Sequence, residues 1–373
     1  MTNSKLGTIE GIAFIVIIIL NHIVLNLPKS LIDQCGSSTC LNLIYITILV
    51  FIFLTIMLKL WKPFGNSDIL DISEFLGGKV LKVILGFLFI LYFITISGTL
   101  LRNFSEMLKL VYFERTTICI ILLFFLVTCV IANTFGFKAI TKCNLIIVPI
   151  MLLNLLIAFF CIFSRFEIKR IFPIFGYGIN QTFFSGMSNL FAFTGISYLY
   201  FLKPLLKKPE DFNKISYISI GISAFYLFLS ITTLLFSFAD ILTINELSPV
   251  YLLIRGTDFG RFLQRPDALF ILGWILSLMS YLSITIWSIS NIFKKITKTK
   301  DTKPMIYSFA ALIFVCALIP KNMAEIRFIQ NIIFRYFTII LVFIISFLIL
   351  LLANIKHKKN HSKPEKEVLI KDE

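Results

Sequence analysis

Ten apolar runs divide this chain, at about residues 8–28, 41–60, 80–111, 116–134, 143–163, 186–202, 215–238, 267–293, 305–320 and 330–354. A helix needs about 20 apolar residues to cross the hydrocarbon layer of a bilayer. The spacing therefore predicts an all-α integral membrane protein of about ten transmembrane helices. Composition agrees: 58% of residues are hydrophobic and 15% charged, where a soluble domain carries about 25% charged. No polar stretch is long enough for a separate soluble domain. Residues 1–355 read as a single membrane domain and residues 356–373 as a polar, lysine-rich cytoplasmic tail, expected to be disordered near an anionic leaflet.

The net charge of +15 sits in short connectors between apolar runs, a membrane topology and not a nucleic-acid patch. Twenty-two Lys lie on the connectors that share a side with the N-terminus, against 11 Lys and Arg on the other side. The bias places both termini in the cytoplasm. The runs group as five and five, about 8–163 and 186–354, and an odd number per half inverts the second half. That is the inverted-repeat plan of many secondary transporters, with a site near the midplane between broken helices. The connector at about 165–182 alternates charge with Phe and Ile; it reads either as a segment lying in the outer interface or as an ordered loop. The long third and eighth runs suit tilted helices.

No nucleophile–base set, metal-ligand spacing or phosphate loop is present, and Gly77-Gly78-Lys79 lacks the spacing of a P-loop. No enzyme activity and no cofactor or metal are expected. Cys35 and Cys40 flank a predicted outer loop; a small disulfide and two free thiols both fit.

Polar residues inside the runs are the candidates for function, because burial in lipid is costly unless they pair or line a cavity. The first run carries Asn21, His22 and Asn26 before Leu27-Pro28. His22 reads either as a packed core residue or as a ligand- or proton-handling group. The third carries Ser97, Gly98 and Thr99, which serve close packing or site lining equally, then Arg102 and Glu106 four apart on one face. The sixth is interrupted by Gly186, Ser188, Asn189, Thr194, Gly195 and Ser197, a composition that lets a helix break and expose its backbone. In the eighth, Trp274, Ser277 and Tyr281 share a face. Ahead of the eighth run, Arg255, Arg261 and Arg265 are spaced through a compact outer segment. Asp267 follows Pro266 at a helix start, where an early carboxylate suits the dipole.

Arg255, the run Asp258-Phe259-Gly260-Arg261-Phe262, Arg265-x-Asp267 and then Trp274 resemble the signature of the spore germination receptor B subunits, within the amino acid–polyamine–organocation transporter superfamily. Leu101-Arg102-x-Phe104-x-Glu106 and Phe193-x-Gly195 with Leu202-x-Pro204 resemble the same family, over about residues 5–355. The chain departs from it twice. Asn21-His22 replaces glycine in the first span, and Ser197 replaces an acidic residue in the sixth. The resemblance implies a LeuT-like 5+5 inverted repeat in the inner spore membrane. It implies a complex with a larger membrane A subunit and a lipoprotein C subunit, sensing an amino acid or another small nutrient. An amino-acid or cation symporter of the same superfamily is the alternative. The outer residues Arg102, Glu106, Arg255, Arg261, Arg265 and Asp267 are expected to make structural or partner contacts. Asn21, His22, Asn26, Ser97, Thr99, Asn189, Thr194, Gly195 and Tyr281 are expected to bind the solute. The expected pocket lies between the first, third, sixth and eighth spans and suits a neutral or zwitterionic solute, since no carboxylate reaches that depth.

Overall fold

The computed structural model describes residues 5–23, 27–163, 166–237, 249–256, 266–299, 301 and 303–369. It is helical throughout, and six helical segments are long and apolar enough to cross a bilayer: Leu27–Phe64, Ile69–Val111, Phe137–Phe160, Pro209–Ser237, Asp267–Thr297 and Met323–Asn360. Thr8–His22, Ile118–Thr134 and Lys303–Leu318 are shorter apolar helices. The sixth apolar run completes the set and is not a continuous α-helix.

The first run holds α1 (Thr8–Ile23), α2 (Leu27–Cys35) comes after residues that lie outside the described ones, and α3 (Thr39–Trp61) follows as the second span. The third, α4 (Ile69–Val111), begins with a short helix ahead of the span proper. Gly77 and Gly78 leave helical geometry there, and the φ of +72° at Gly78 is one that glycine adopts without a Cβ clash. Asp68 caps this helix by accepting from the backbone N–H groups of Leu70 and Asp71, both at 3.0 Å. The spans α5 (Ile118–Thr134) and α6 (Phe137–Ile162) close the first half.

The second half opens with a π turn at Asn180–Phe184 and a 3-10 helix at Ser185–Phe193, then α7 (Ile196–Leu202). The spans α8 (Phe212–Ser237), the short α9 (Pro249–Arg255), α10 (Pro266–Thr297) and α11 (Lys303–Leu318) follow. The tenth span is composite: α12 (Met323–Phe328), a π segment at Ile329–Phe334, α13 (Arg335–Thr338), a second π segment and α14 (Ser346–Leu369). The expected disordered tail is instead helical as far as Leu369.

Hydrophobic patterning explains who is central. In α1, Ile15 to Leu20 have no exposed surface at all. A helix apolar on every face belongs at the centre, and α1 is enclosed by α6, α8 and α10. By contrast α5 leaves Ile120, Phe124, Val127 and Ile131 bare along one side, the stripe a lipid-facing helix presents.

The end of the bundle where α4 begins and α10 finishes is tied by charges. Lys295 at the end of α10 reaches Asp68 Oδ2 at 2.6 Å and Asp71 Oδ2 at 2.5 Å, and Lys82 reaches Glu74 at 2.6 Å across the Gly77-Gly78 kink. Lys356 donates to the carbonyls of Phe75 and Leu76. Cys35 and Cys40 are both buried free thiols, at the end of α2 and in α3.

Candidate functional site between the broken spans

The first and sixth spans face each other in the middle of the bundle. The described residues of α1 run to Ile23 and those of α2 begin at Leu27. The sixth span changes from 3-10 helix to α-helix at Thr194-Gly195. Gly195 is what lets the two spans meet: a Cβ there would stand 2.2 Å from Ile19 Cγ1 of the first span. A 3-10 stretch of nine residues is long for its kind, and buried amides hold it. Asn42 of α3 donates to the carbonyls of Thr182 at 2.7 Å and Gly186 at 3.1 Å, and accepts from Asn189 at 2.8 Å.

Between the first and sixth spans, beside Thr194, lies a cavity of about 40 Å³. That is room for about three waters, since each fills some 10–15 Å³ by such a measure. His22 and Ser30 of the first span, Thr194 of the sixth, and Gln330 and Asn331 of the tenth give it a polar lining. Ile96 and Leu100 of α4, with Leu27, Phe191 and Phe334, give the apolar part. The Thr194 hydroxyl is buried without a hydrogen-bond partner, as are Asn21 Oδ1 and the Tyr281 hydroxyl nearby. Each such atom costs about 1–3 kcal/mol if nothing fills its place. The His22 ring stands edge-on to Tyr281, centroids 5.5 Å apart. Asn21 Nδ2 donates to Ser277 Oγ at 2.8 Å and to Ile17 O at 2.7 Å, so the end of α1 is pinned to α10.

The wall nearest the outer ends of these spans contains an arginine. Arg335 NH2 donates to Ser30 Oγ at 2.9 Å, and NH1 donates to Gln34 Oε1 at 2.7 Å. The Ser30 hydroxyl in turn donates a hydrogen bond to Asn331 Oδ1 at 2.7 Å. The guanidinium lies over the Phe191 ring, 4.8 Å from its centroid. Gln34 continues the chain of bonds to the Ser185 carbonyl at 2.7 Å and to Ser188 Oγ at 3.0 Å. Sequence reading passed over Ser30, Gln330, Asn331 and Arg335. The signal was there for Arg335, the one charged residue within the tenth apolar run.

The expected lining residues divide. His22 and Thr194 line the cavity, and Asn21 and Tyr281 sit directly behind it. Ser97 and Thr99 turn their hydroxyls back to Phe93 O at 2.6 Å and Thr95 O at 2.8 Å, inside their own helix. Asn189 serves the Asn42 clamp, and Gly195 packs on Ile19. The tenth span takes the place expected for the eighth. Asn26, Arg261 and Arg265 lie outside the described residues. Arg102 pairs with Glu106, Nε to Oε1 at 3.0 Å, and reaches the Ala317 carbonyl of α11. Arg255 ends α9, while the buried Asp267 accepts from the Tyr112 and Tyr251 hydroxyls at 3.2 Å each.

A bundle of apolar spans with the sixth interrupted by π and 3-10 helix suits a transporter-like membrane protein, and comparisons with known proteins agree. The family model for spore germination protein, a permease-like family, matches residues 5–326. The chain belongs to that family. It is 25% identical over 272 residues to spore germination protein GerQB of Bacillus cereus, covering 72% of this chain and 73% of the relative. Against YndE of Bacillus subtilis it is 23% identical over 327 residues, covering 86% and 88%. Against spore germination protein A2 of the same organism it is 23% identical over 370 residues, covering 96% and 98%. Among solved structures, a Na+-coupled sialic acid symporter in its substrate-bound outward-open state superposes with a TM-score of 0.63 at 11% identity, over 90% of this chain and 78% of that one. The fold is therefore that of a LeuT-like transporter, and the protein is a germinant-receptor-like integral membrane protein.

Proposed function

We propose that this chain is the nutrient-sensing B subunit of a spore germinant receptor and takes a small solute into the cavity between its first, third, sixth and tenth spans. One observation carries the reading: the cavity lies where the first span meets the interrupted sixth and is edged by the Thr194 hydroxyl, which has no partner among the described residues. A solute bridging two spans binds one arrangement of them better than another, and that difference in affinity is the signal. A coupling of about 1–3 kcal/mol suffices, a 5- to 150-fold bias. The receptor reading places the chain in the inner spore membrane with both termini on the core side, beside a membrane A subunit and a lipoprotein C subunit. The outer arginines Arg255, Arg261 and Arg265 then serve that outer face or a partner.

The test is deletion of the gene in a strain without a redundant receptor, with spores scored against a panel of small nutrients. The expected result is loss of germination to one nutrient class, restored by the wild-type chain and not by Thr194→Val. Normal germination on every nutrient overturns the reading. The fold shared with a Na+-coupled symporter favours a second reading, a working solute symporter. Ion-driven uptake of the same nutrient into proteoliposomes distinguishes it.

A further inference from the structure

Arg335 is a cation inside a membrane span without an acid to answer it. Among the described residues no carboxylate lies within ion-pair distance of its guanidinium. Its partners are neutral: the Ser30 hydroxyl, the Gln34 amide oxygen and the face of Phe191. An arginine has five N–H donors, and these bonds use two. The Nε–H is buried and has no acceptor among the described residues. A partly buried cation with unused donors is costly, and intramembrane charges mark the path or site of a solute.

Its position relates that charge to the cavity. Ser30 and Phe191, both in contact with the guanidinium, line the cavity, so the charge stands one side chain from its interior. At that range a full charge acts strongly, because little water screens it. Ser30 adds a short-range component. Arg335 fixes the Ser30 oxygen by donating to it, which leaves the Ser30 proton as the movable part. That proton now rests on Asn331 Oδ1, itself a lining group, and turning it toward a stronger acceptor needs only rotation of the hydroxyl. None of the lining residues is acidic. A solute ammonium therefore meets only neutral side-chain groups, while a solute carboxylate meets a positive field and a ready hydroxyl donor.

We propose that Arg335, acting through Ser30, makes this cavity selective for a small solute bearing a carboxylate. This replaces the neutral solute expected from the sequence, and it assigns recognition of the acid group to the tenth span. It rests on the cavity being the nutrient site. Arg335 is a positioning residue in this scheme: its field and the hydroxyl it orients discriminate the ligand's charge.

The test uses the full chain in lipid nanodiscs and matched probes: propionate against propionamide, and glycine, alanine and serine each against its C-terminal amide. Binding is read by calorimetry and by shift of the melting temperature. Wild type is expected to bind at least one acid about tenfold or more tightly than its amide, the scale of a charge-assisted hydrogen bond. Arg335→Gln should abolish that ratio, Arg335→Lys should keep part of it, and Ser30→Ala should lower it while Arg335 remains. Equal binding of acids and amides by wild type, or binding of neither, overturns the proposal. So does an acid-to-amide ratio in Arg335→Gln within twofold of wild type. If Arg335→Gln does not accumulate, the wild-type ratio together with Ser30→Ala decides the matter. Acid-selective binding with normal germination after gene deletion leaves this inference standing and removes the receptor reading. Loss of germination on deletion with equal binding of acids and amides does the reverse.

Discussion

The first and sixth spans occupy equivalent places in the two halves, yet they are made differently. The first is α-helix in α1, which is wholly enclosed from Ile15 to Leu20. The sixth is π and 3-10 helix ahead of Thr194-Gly195, held by the Asn42 side-chain amide of α3. Helix α1 is thus a rigid rod fixed by packing. The π and 3-10 part of the sixth is a looser ribbon fixed by a few hydrogen bonds, and 3-10 geometry has weaker bonds of its own. A solute lodged between them would move the ribbon more readily than the rod. The sixth span is the expected moving part.

The largest effect is expected where rod and ribbon touch. Gly195→Ala places a methyl 2.2 Å from Ile19 Cγ1, and Gly195→Leu is worse, so the spans must separate. Overpacking of this kind costs about 1–3 kcal/mol or more. Immunoblots of spore membranes should show reduced receptor and germination should fail. The double variant Gly195→Ala with Ile19→Ala should recover abundance. If Gly195→Ala accumulates and responds normally alone, the contact does not set the distance between the spans.

The second effect falls on the ribbon. Asn42→Ala leaves the carbonyls of Thr182 and Gly186 and the Asn189 amide without their partner. The cost is about 1–3 kcal/mol for buried groups left unpaired. Hydrogen exchange should accelerate across residues 180–193 and stay unchanged in α1. Equal acceleration in both spans would erase the contrast between them.

A third variant tests the rod. Asn21→Ala removes the bond to Ser277 and relieves the unpartnered Asn21 Oδ1 at the same time. The loss and the relief offset, so stability should change by about 1 kcal/mol or less. A double-mutant cycle with Ser277→Ala measures the coupling, expected at about 0.5 kcal/mol or more for groups in contact. No coupling would mean that α1 is held at Asn21 by packing alone.

How much of this was legible follows from the same contrast. Span number, the long third and eighth helices and the weak point at Thr194-Gly195 are written in local hydropathy and glycine placement. Whether the first span unwinds ahead of Pro28 concerns residues 24–26, which lie outside the described residues. The cavity wall was not legible from local pattern. Ser97 and Thr99 looked like lining residues, but a hydroxyl in a helix can always turn back to the carbonyl four residues earlier, and here both do. Which span faces the cavity is a property of the assembled bundle, and the tenth, with its π segments, took the place expected for the eighth. Arg335 was hidden in an apolar run whose length answered the only question asked of it.

The smallest effect is expected just ahead of α1, where the same two spans meet again. Leu6 ahead of α1 donates its N–H to Leu205 O at 2.7 Å, and Lys207 returns a bond to Leu6 O at 2.8 Å. Thr8 Oγ1 adds a bond to Asp211 Oδ2 at 2.6 Å. The backbone pair joins the segment ahead of α1 to the segment after α7, the α-helical part of the sixth span, without using side chains that pack in the core. Thr8→Val keeps the shape of the residue and deletes one donor at a half-exposed site, where water replaces the lost partner of Asp211. Stability should fall by about 0.5 kcal/mol or less, and the Lys207 amide should stay protected from exchange because its acceptor is backbone. Leu6→Pro is the sharper companion, since it removes the N–H that Leu205 accepts and should expose Lys207 as well. If Thr8→Val instead costs as much as Asn42→Ala, the two spans are coupled through their inner ends. The ribbon would then be anchored where this comparison has it free to follow the solute.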